Sequence, residues 1–122
     1  MSRAERLAEL IKQEVSDILR EEVSDPRIGF VSLTAVDLSV DIKNCKIYVS
    51  IYGSEKNKTD AMAGLQSATA FIRRKLATLL ETRVTPELVF VRDDSLERGS
   101  RVLKLLQDEK NNLRKDQKNL KK

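Results

Sequence analysis

Leu7, Ile11, Val15 and Ile18, with Leu10 on the flank, recur at the 3.6-residue period of an amphipathic helix, while Arg6, Gln13 and Arg20 recur on roughly the opposite face. Ser2 and Glu5 have the spacing of a capping box, so the helix is predicted to begin there. It should end ahead of Asp25-Pro26, because proline disfavours helical geometry in the residue before it. The period then falls to two. Val31, Leu33 and Ala35 alternate with Ser32 and Thr34, a half-buried strand, and the phase slips at Ala35-Val36. A bulge there would return Val36 and Leu38 to the inner face. Cys45, Ile47, Val49 and Ile51 alternate more cleanly with outward Lys46, Tyr48, Ser50 and Tyr52. The short polar link Asp41-Ile42-Lys43-Asn44 predicts an antiparallel hairpin.

Gly53 to Lys58 reads as a loop, with Thr59 or Asp60 capping the next helix. Ala61, Leu65, Ala68, Ile72, Leu76 and Leu79 keep helical spacing, although Ser67 and Thr69 weaken helical preference in the middle. Thr85-Pro86 closes the helix and leads into a strand, Leu88 to Arg92. Asp94 with Glu97 forms another cap, and Leu96, Leu103 and Leu106 mark a short final helix. The predicted order is α-β-β-α-β-α. Three strands cannot bury both faces, so the expected architecture is a two-layer α+β domain with its helices on one face of a three-stranded sheet.

With 122 residues, 40% of them hydrophobic, the chain can build one modest core. Residues 1–108 are expected to form that domain and 109–122 a flexible basic tail. The tail dominates the charge balance. From Lys110 to Lys122 there are six basic residues against Asp116 alone, whereas residues 1–109 carry 17 basic and 18 acidic side chains. A polyanion would therefore meet a local patch on the domain, helped by salt-sensitive attraction from the tail.

The sequence contains no histidine, which removes the commonest general acid or base near neutral pH and any Ser-His or Cys-His pair. Cys45 is the single cysteine, so neither an intrachain disulfide nor a Cys/His zinc site can form, and its phase with Ile47 and Val49 makes it a core thiol. No catalytic residue, metal or cofactor is expected. Asp93-Asp94 is read as capping a helix start, not as a metal site. Only Phe30, Phe71, Phe90, Tyr48 and Tyr52 are aromatic, which disfavours base stacking on many rings. No early signal-type run and no membrane-length apolar stretch is present, so the cytoplasm is the expected compartment.

Ser24-Asp25-Pro26-Arg27-Ile28-Gly29-Phe30, between Leu19-Arg20-Glu21-Glu22-Val23 and Val31-Ser32-Leu33-Thr34-Ala35-Val36, resembles the helix-to-strand corner of the ribosome-binding factor A family. Lys46 to Ser54 resembles that family's second strand and exit, and Thr85 to Leu96 its last strand and following helix start. The likeness runs from about Ser2 to Leu106. It implies a type II KH-like fold in which an Ala-x-Gly kink replaces the nucleic-acid loop of ordinary KH domains. The aligned residues are Ala68, Thr69 and Ala70. The glycine is missing, and alanine lacks its freedom at positive φ, so either a kink or a nearly continuous helix is expected.

The resemblance further implies a nonenzymatic bacterial assembly factor that binds the immature small ribosomal subunit and its ribosomal RNA, acts late in processing near the RNA's 5′ end, and is monomeric when free. Arg73, Arg74 and Lys75 are the first candidate RNA contacts, placed just after the kink region. The alternative is a solvated surface paired with Glu81 or Asp93. Arg3, Arg6 and Arg20 on the first helix form a second candidate, against ordinary pairing of Arg6 with Glu9 or Glu14. Asp25, Pro26 and Arg27 are read mainly as a structural corner, with Arg27 the member most suited to a contact. The rival function is an adaptor that binds another protein through its charged helices and tail.

Overall fold

A computed structural model describes residues 2–80 and 82–95. Two helices and three strands follow one another as α1 (Arg3–Glu21), β1 (Val31–Leu38), β2 (Asn44–Ile51), α2 (Glu55–Leu79) and β3 (Glu87–Arg92). The final helix predicted around Leu96, Leu103 and Leu106, and the tail at 109–122, lie outside the described residues.

The sheet order is β1-β2-β3. The hairpin makes β1 and β2 antiparallel, and the α2 crossover makes β2 and β3 parallel. One face carries the core. Cys45, Ile47, Val49 and Ile51 of β2 are buried there against Ile11, Val15 and Ile18 of α1 and Ala61, Leu65, Ile72 and Leu76 of α2. On the other face Lys46 is exposed and Tyr48 and Ser50 are half-buried. Burial also raises the Cys45 thiol pKa to about 11, with a smaller contribution from Asp37, which leaves it protonated and inert at neutral pH.

The expected bulge is present, one residue earlier than the phase slip suggests. The ladder shifts between Leu33 and Ala35, so Thr34 is the extra residue. Val36 and Leu38 return to the inner side as predicted, whereas Ala35, expected inside with Val31 and Leu33, is exposed. In the hairpin Asp41 Oδ1 accepts from the Ser39 hydroxyl and the Lys43 N–H, and half-buried Ile42 takes a φ of 64°, rare for a β-branched residue.

Helix starts follow side-chain chemistry. Ser2 Oγ accepts from the Glu5 N–H at 3.1 Å, a single cap bond and not a reciprocal box. The reciprocal box belongs to α2: Ser54 Oγ accepts from the Asn57 N–H at 3.1 Å, and Asn57 Oδ1 accepts from the Ser54 N–H at 3.2 Å. This corrects the loop expected over Gly53 to Lys58 and the cap expected at Thr59 or Asp60. Asn57 is the signal in the sequence, because an amide three residues after a serine serves as well as Gln or Glu. At the far end Leu80 is buried and Leu79 is exposed, the reverse of the helical periodicity, since the chain leaves the helix at Leu80 with extended geometry.

The helix α2 runs unbroken through Ala68, Thr69 and Ala70. Positive φ among the described residues is confined to Ile42 and Gly53, so Ala70 is not held in a glycine-like conformation, and of the two expected arrangements the continuous helix is the one observed. The Thr69 hydroxyl donates to the Leu65 carbonyl at 2.8 Å, a back-bond that bends helices slightly without breaking them. Ala70→Gly should therefore lose about 1 kcal/mol in chemical denaturation, the ordinary glycine penalty in a helix. An unchanged or increased stability would restore the strained kink.

Candidate nucleic-acid interface

Successive helical residues point about 100° apart, and this separates the three cations expected to act together. Arg73 turns toward the segment entering β3. Its Nε donates to the Pro86 carbonyl at 3.0 Å and its Nη2 to the Thr85 carbonyl at 2.7 Å, with Glu87 Oε1 3.3 Å away. Lys75 turns toward the end of α1, where its Nζ lies 3.2 Å from Glu22 Oε1 and 5.8 Å from the Phe71 ring centroid. Arg74, between them, is exposed and has no hydrogen-bond or ion-pair partner among the described residues. Among the described residues the cluster is thus one unpaired cation flanked by two that tie α2 to its neighbours. Of the two carboxylates expected to pair with the cluster, Asp93 accepts from Thr34 and Ser95, and Glu81 lies outside the described residues.

Arg74 borders a shallow groove of about 570 Å³ between α2 and the start of β3, lined also by Gln66, Thr69, Ala70, Thr85 and Glu87. Gln66 and Thr69 continue into a second depression beside Leu88, Val89 and Phe90. The result is a groove lined by an amide, hydroxyl groups, the Glu87 carboxylate and the guanidinium groups of Arg73 and Arg74, of which Arg73 is already bonded to the chain. Such a surface can take a phosphate at the cation and present hydrogen-bonding groups to sugar or base edges.

The α1 candidates are not one patch. A helix rises about 1.5 Å per residue, so Arg3 and Arg20 stand about 25 Å apart along the axis. Arg3 and Arg6 are exposed, and neither has an acidic partner among the described residues, which removes the expected pairing of Arg6 with Glu9 or Glu14. Arg20 Nη2 lies 2.7 Å from Asp17 Oδ1 and 3.7 Å from Glu21 Oε1.

Arg27 belongs to the corner. It grips Asp25 through two side-chain bonds, Nε to Oδ1 at 3.1 Å and Nη2 to Oδ2 at 2.7 Å, while its own N–H donates to Asp25 Oδ1 at 2.9 Å. The bond from the Arg27 side chain holds the Asp25 carboxyl below its usual pKa. The Ile28 N–H closes the turn on the Asp25 carbonyl. This is the structural corner expected from Asp25 and Pro26, and what fixes it in space is a residue outside the motif. Gly64 of α2 is buried, and a Cβ there would lie 2.7 Å from Ile28 Cγ1. An isolated glycine in a helical pattern is the available signal for such a contact.

The adjacent carboxylates are structural. Asp93 Oδ1 accepts from the Ser95 N–H at 2.9 Å and Oδ2 from the Thr34 hydroxyl at 2.8 Å, while Asp94 accepts from Arg92 Nε. Arg92 also reaches Glu55 with two bonds of 2.9 and 2.5 Å, joining the end of β3 to the start of α2. These partners raise the Arg92 pKa and lower that of Glu55. Among the described residues there is no group of three potential metal ligands and no helix long and apolar enough to cross a membrane.

A three-stranded sheet with two helices on one face, joined in the order α-β-β-α-β, places the chain in the class of KH-like α+β domains. Its sequence matches the family described as ribosome-binding factor A over residues 3–106. The chain belongs to that family. Among curated relatives, ribosome-binding factor A of Halothermothrix orenii is 49% identical over 104 residues, 85% of each chain, and that of Trichormus variabilis 52% identical over 106 residues, covering 85% of this chain and 80% of the relative. Among solved structures, the crystal structure of ribosome-binding factor A from Thermus thermophilus superposes with a TM-score of 0.66 at 25% identity, covering 73% of this chain and 93% of that one. The solution structure of a ribosome-binding factor A homologue from Thermotoga maritima gives 0.65 at 30% identity, covering 75% and 90%. A third similar structure is a homology model of the Thermus thermophilus factor fitted into the cryo-electron microscopy map of its complex with the 30S subunit, with a TM-score of 0.62 at 25% identity, covering 73% and 93%.

Proposed function

We propose that this chain binds the immature small ribosomal subunit through its ribosomal RNA and promotes late maturation of the RNA's 5′ region in the cytoplasm, as a monomer and without catalysis. The observation that carries this reading is the match to the ribosome-binding factor A family over residues 3–106, together with the relative fitted into a 30S complex. The exposed guanidinium of Arg74 beside a polar groove supplies the contact chemistry. The mechanism is a shift of population: a rigid domain biases an RNA fold by binding one state better than the other, and needs no nucleotide cofactor for that.

Co-sedimentation with small subunits, with and without nuclease, tests the reading. Binding lost on RNA digestion supports it; binding that survives digestion turns it into the adaptor function. The groove makes a sharper expectation. Arg74→Ala should leave stability within about 0.5 kcal/mol of the parent, weaken binding and lower the salt slope by about 1. Arg73→Ala should do the reverse, losing about 1–2 kcal/mol of stability with its two carbonyl bonds and changing the slope little. Thermal melts and a salt series on both variants decide whether free and tethered cations have been assigned correctly.

A further inference from the structure

Of the five aromatic residues, Phe71 and Phe90 pack against the core. Phe30 and Tyr52 do the opposite, with 76% and 83% of their surfaces exposed. They are neighbours: the Tyr52 N–H donates to the Phe30 carbonyl at 3.1 Å, just beyond the Val31–Ile51 pair of the β1–β2 ladder. Residues opposite one another in such a ladder share a face, with Cβ atoms about 5 Å apart. Ile51 is buried beneath the helices, so alternation sends Tyr52 to the other face, the one that carries Ser50 and Tyr48. Exposed Ser32 lies on that face by the same alternation. No described helix covers it.

Leaving two large rings in water forgoes the apolar burial that holds the rest of the domain together. Phe30 also lines a groove of about 610 Å³ between the end of α1 and the start of β1, together with Arg20, Val23 and Ile28. The Arg20 contacts to Asp17 and Glu21 use Nη2, so the Nε and Nη1 donors face no protein acceptor among the described residues. An aliphatic anchor from a protein partner would be served by the groove alone. Two flat rings set among serine hydroxyls, with a guanidinium to one side, suit a planar base, its ribose and its phosphate.

We propose that Phe30 and Tyr52 form a stacking platform for unpaired nucleotides of single-stranded RNA, with Arg20 meeting an adjoining phosphate. This rests on the RNA-binding reading above and adds to it a second surface, built from residues that the Arg74 groove does not use. Stacking tolerates any base, because every base has a π-face, and it requires the strand to be unpaired.

The chain contains no tryptophan, so Phe30→Trp installs a single reporter at the platform. It is titrated with a single-stranded, unpaired oligoadenylate of about ten nucleotides and with duplex RNA of equal length. Quenching by the single strand and not by the duplex is expected. Phe30→Ala and Tyr52→Ala should each weaken oligoadenylate binding about 5- to 100-fold, with melting temperatures unchanged because both side chains are exposed. Phe30→Tyr should restore binding and Phe30→Leu should not, which separates stacking from simple apolar contact. An unquenched tryptophan, equal effects on single strand and duplex, or a leucine variant as tight as the parent overturns the platform. So does a loss of small-subunit binding in Phe30→Ala with oligoadenylate binding intact, which would assign the rings to a protein contact. Nuclease-sensitive co-sedimentation of the unsubstituted chain reports on the functional reading separately, so either idea can fail alone.

Discussion

Replacing Gly64 by valine is expected to cost about 3 kcal/mol of stability, and replacing it by alanine about 1 kcal/mol, although both substitutions improve helical propensity. The Cβ of either residue would stand 2.7 Å from Ile28 Cγ1, 3.3 Å from Asp25 Oδ2 and 3.4 Å from Arg27 Cβ. All three atoms belong to the corner, and the corner cannot yield piecemeal. Asp25 and Arg27 are locked by three mutual hydrogen bonds, and the Ile28 N–H is bonded back to the Asp25 carbonyl. Moving Ile28 aside therefore moves the turn as a unit and strains the entry into β1. Against this, alanine gains about 1 kcal/mol over glycine in a helix interior, which is why its net loss is smaller. Valine adds two more methyl groups to the same contact. A double-mutant cycle with Ile28→Ala gives the decisive measurement, because removing Cγ1 removes the clash. The double variant should be more stable than the sum of its single losses by about 1 kcal/mol. Additive losses, or a Gly64→Ala protein more stable than the parent, would show that the corner moves away freely.

That contact marks the boundary of what the sequence can tell. The Ser24 to Phe30 segment is legible as a corner because its parts act locally: proline excludes helix before it, and Asp25 bonds to residues two and three positions on. Its seat on α2 depends on a glycine 36 positions after Ile28, and no local rule links the two. The strands are legible for the same local reason. Period two in Cys45 to Ile51 fixes the buried face of β2 whatever its neighbours are, and the phase slip in β1 announces a bulge to within a residue. The start of α2 is misplaced by sequence reasoning because Ser54 and Asn57 look like loop composition. Its continuity through Ala70 stays open at that level, since the resemblance argues for a break and the residues themselves do not.

The candidate site is less legible than the fold, and the reason is geometric. Arg73, Arg74 and Lys75 read as one cationic cluster because they are adjacent in sequence, and adjacency on a helix is what separates them by about 100° each. Sequence shows how many charges there are; only packing shows which of them are already neutralised. Arg73 is held by two carbonyls and Lys75 by Glu22, so among the described residues the unpaired charge is Arg74. Phe30 and Tyr52 are hidden in the opposite way. Counted by type, five aromatics look too few for stacking, and counted by exposure two of them stand in solvent on residues joined by a backbone hydrogen bond.

Removing residues 110–122 is expected to flatten the salt dependence of RNA binding more than any substitution in the domain. That segment carries six basic residues and Asp116, while residues 1–109 carry one more acidic than basic side chain. Each phosphate neutralised adds about 0.9 to the slope of log affinity against log salt on duplex nucleic acid and about 0.7 on single strands, so full engagement of a net charge of about five contributes about 3.5–4.5. Across a fourfold rise in salt that slope corresponds to about 100- to 500-fold in affinity. Arg74→Ala, by comparison, removes a single contact and a slope of about 1. A version in which Lys110, Arg114, Lys115, Lys118, Lys121 and Lys122 become glutamine keeps the chain length and isolates charge as the cause. Both the truncated and the neutralised chains should bind small subunits more weakly at low salt and converge on the parent at high salt, where only contacts made by the domain persist. A slope unchanged by either alteration would mean that the tail's cations do not reach the RNA. The long-range attraction would then have to come from a domain that is slightly acidic overall, which local patches such as the Arg74 groove could supply only at short range.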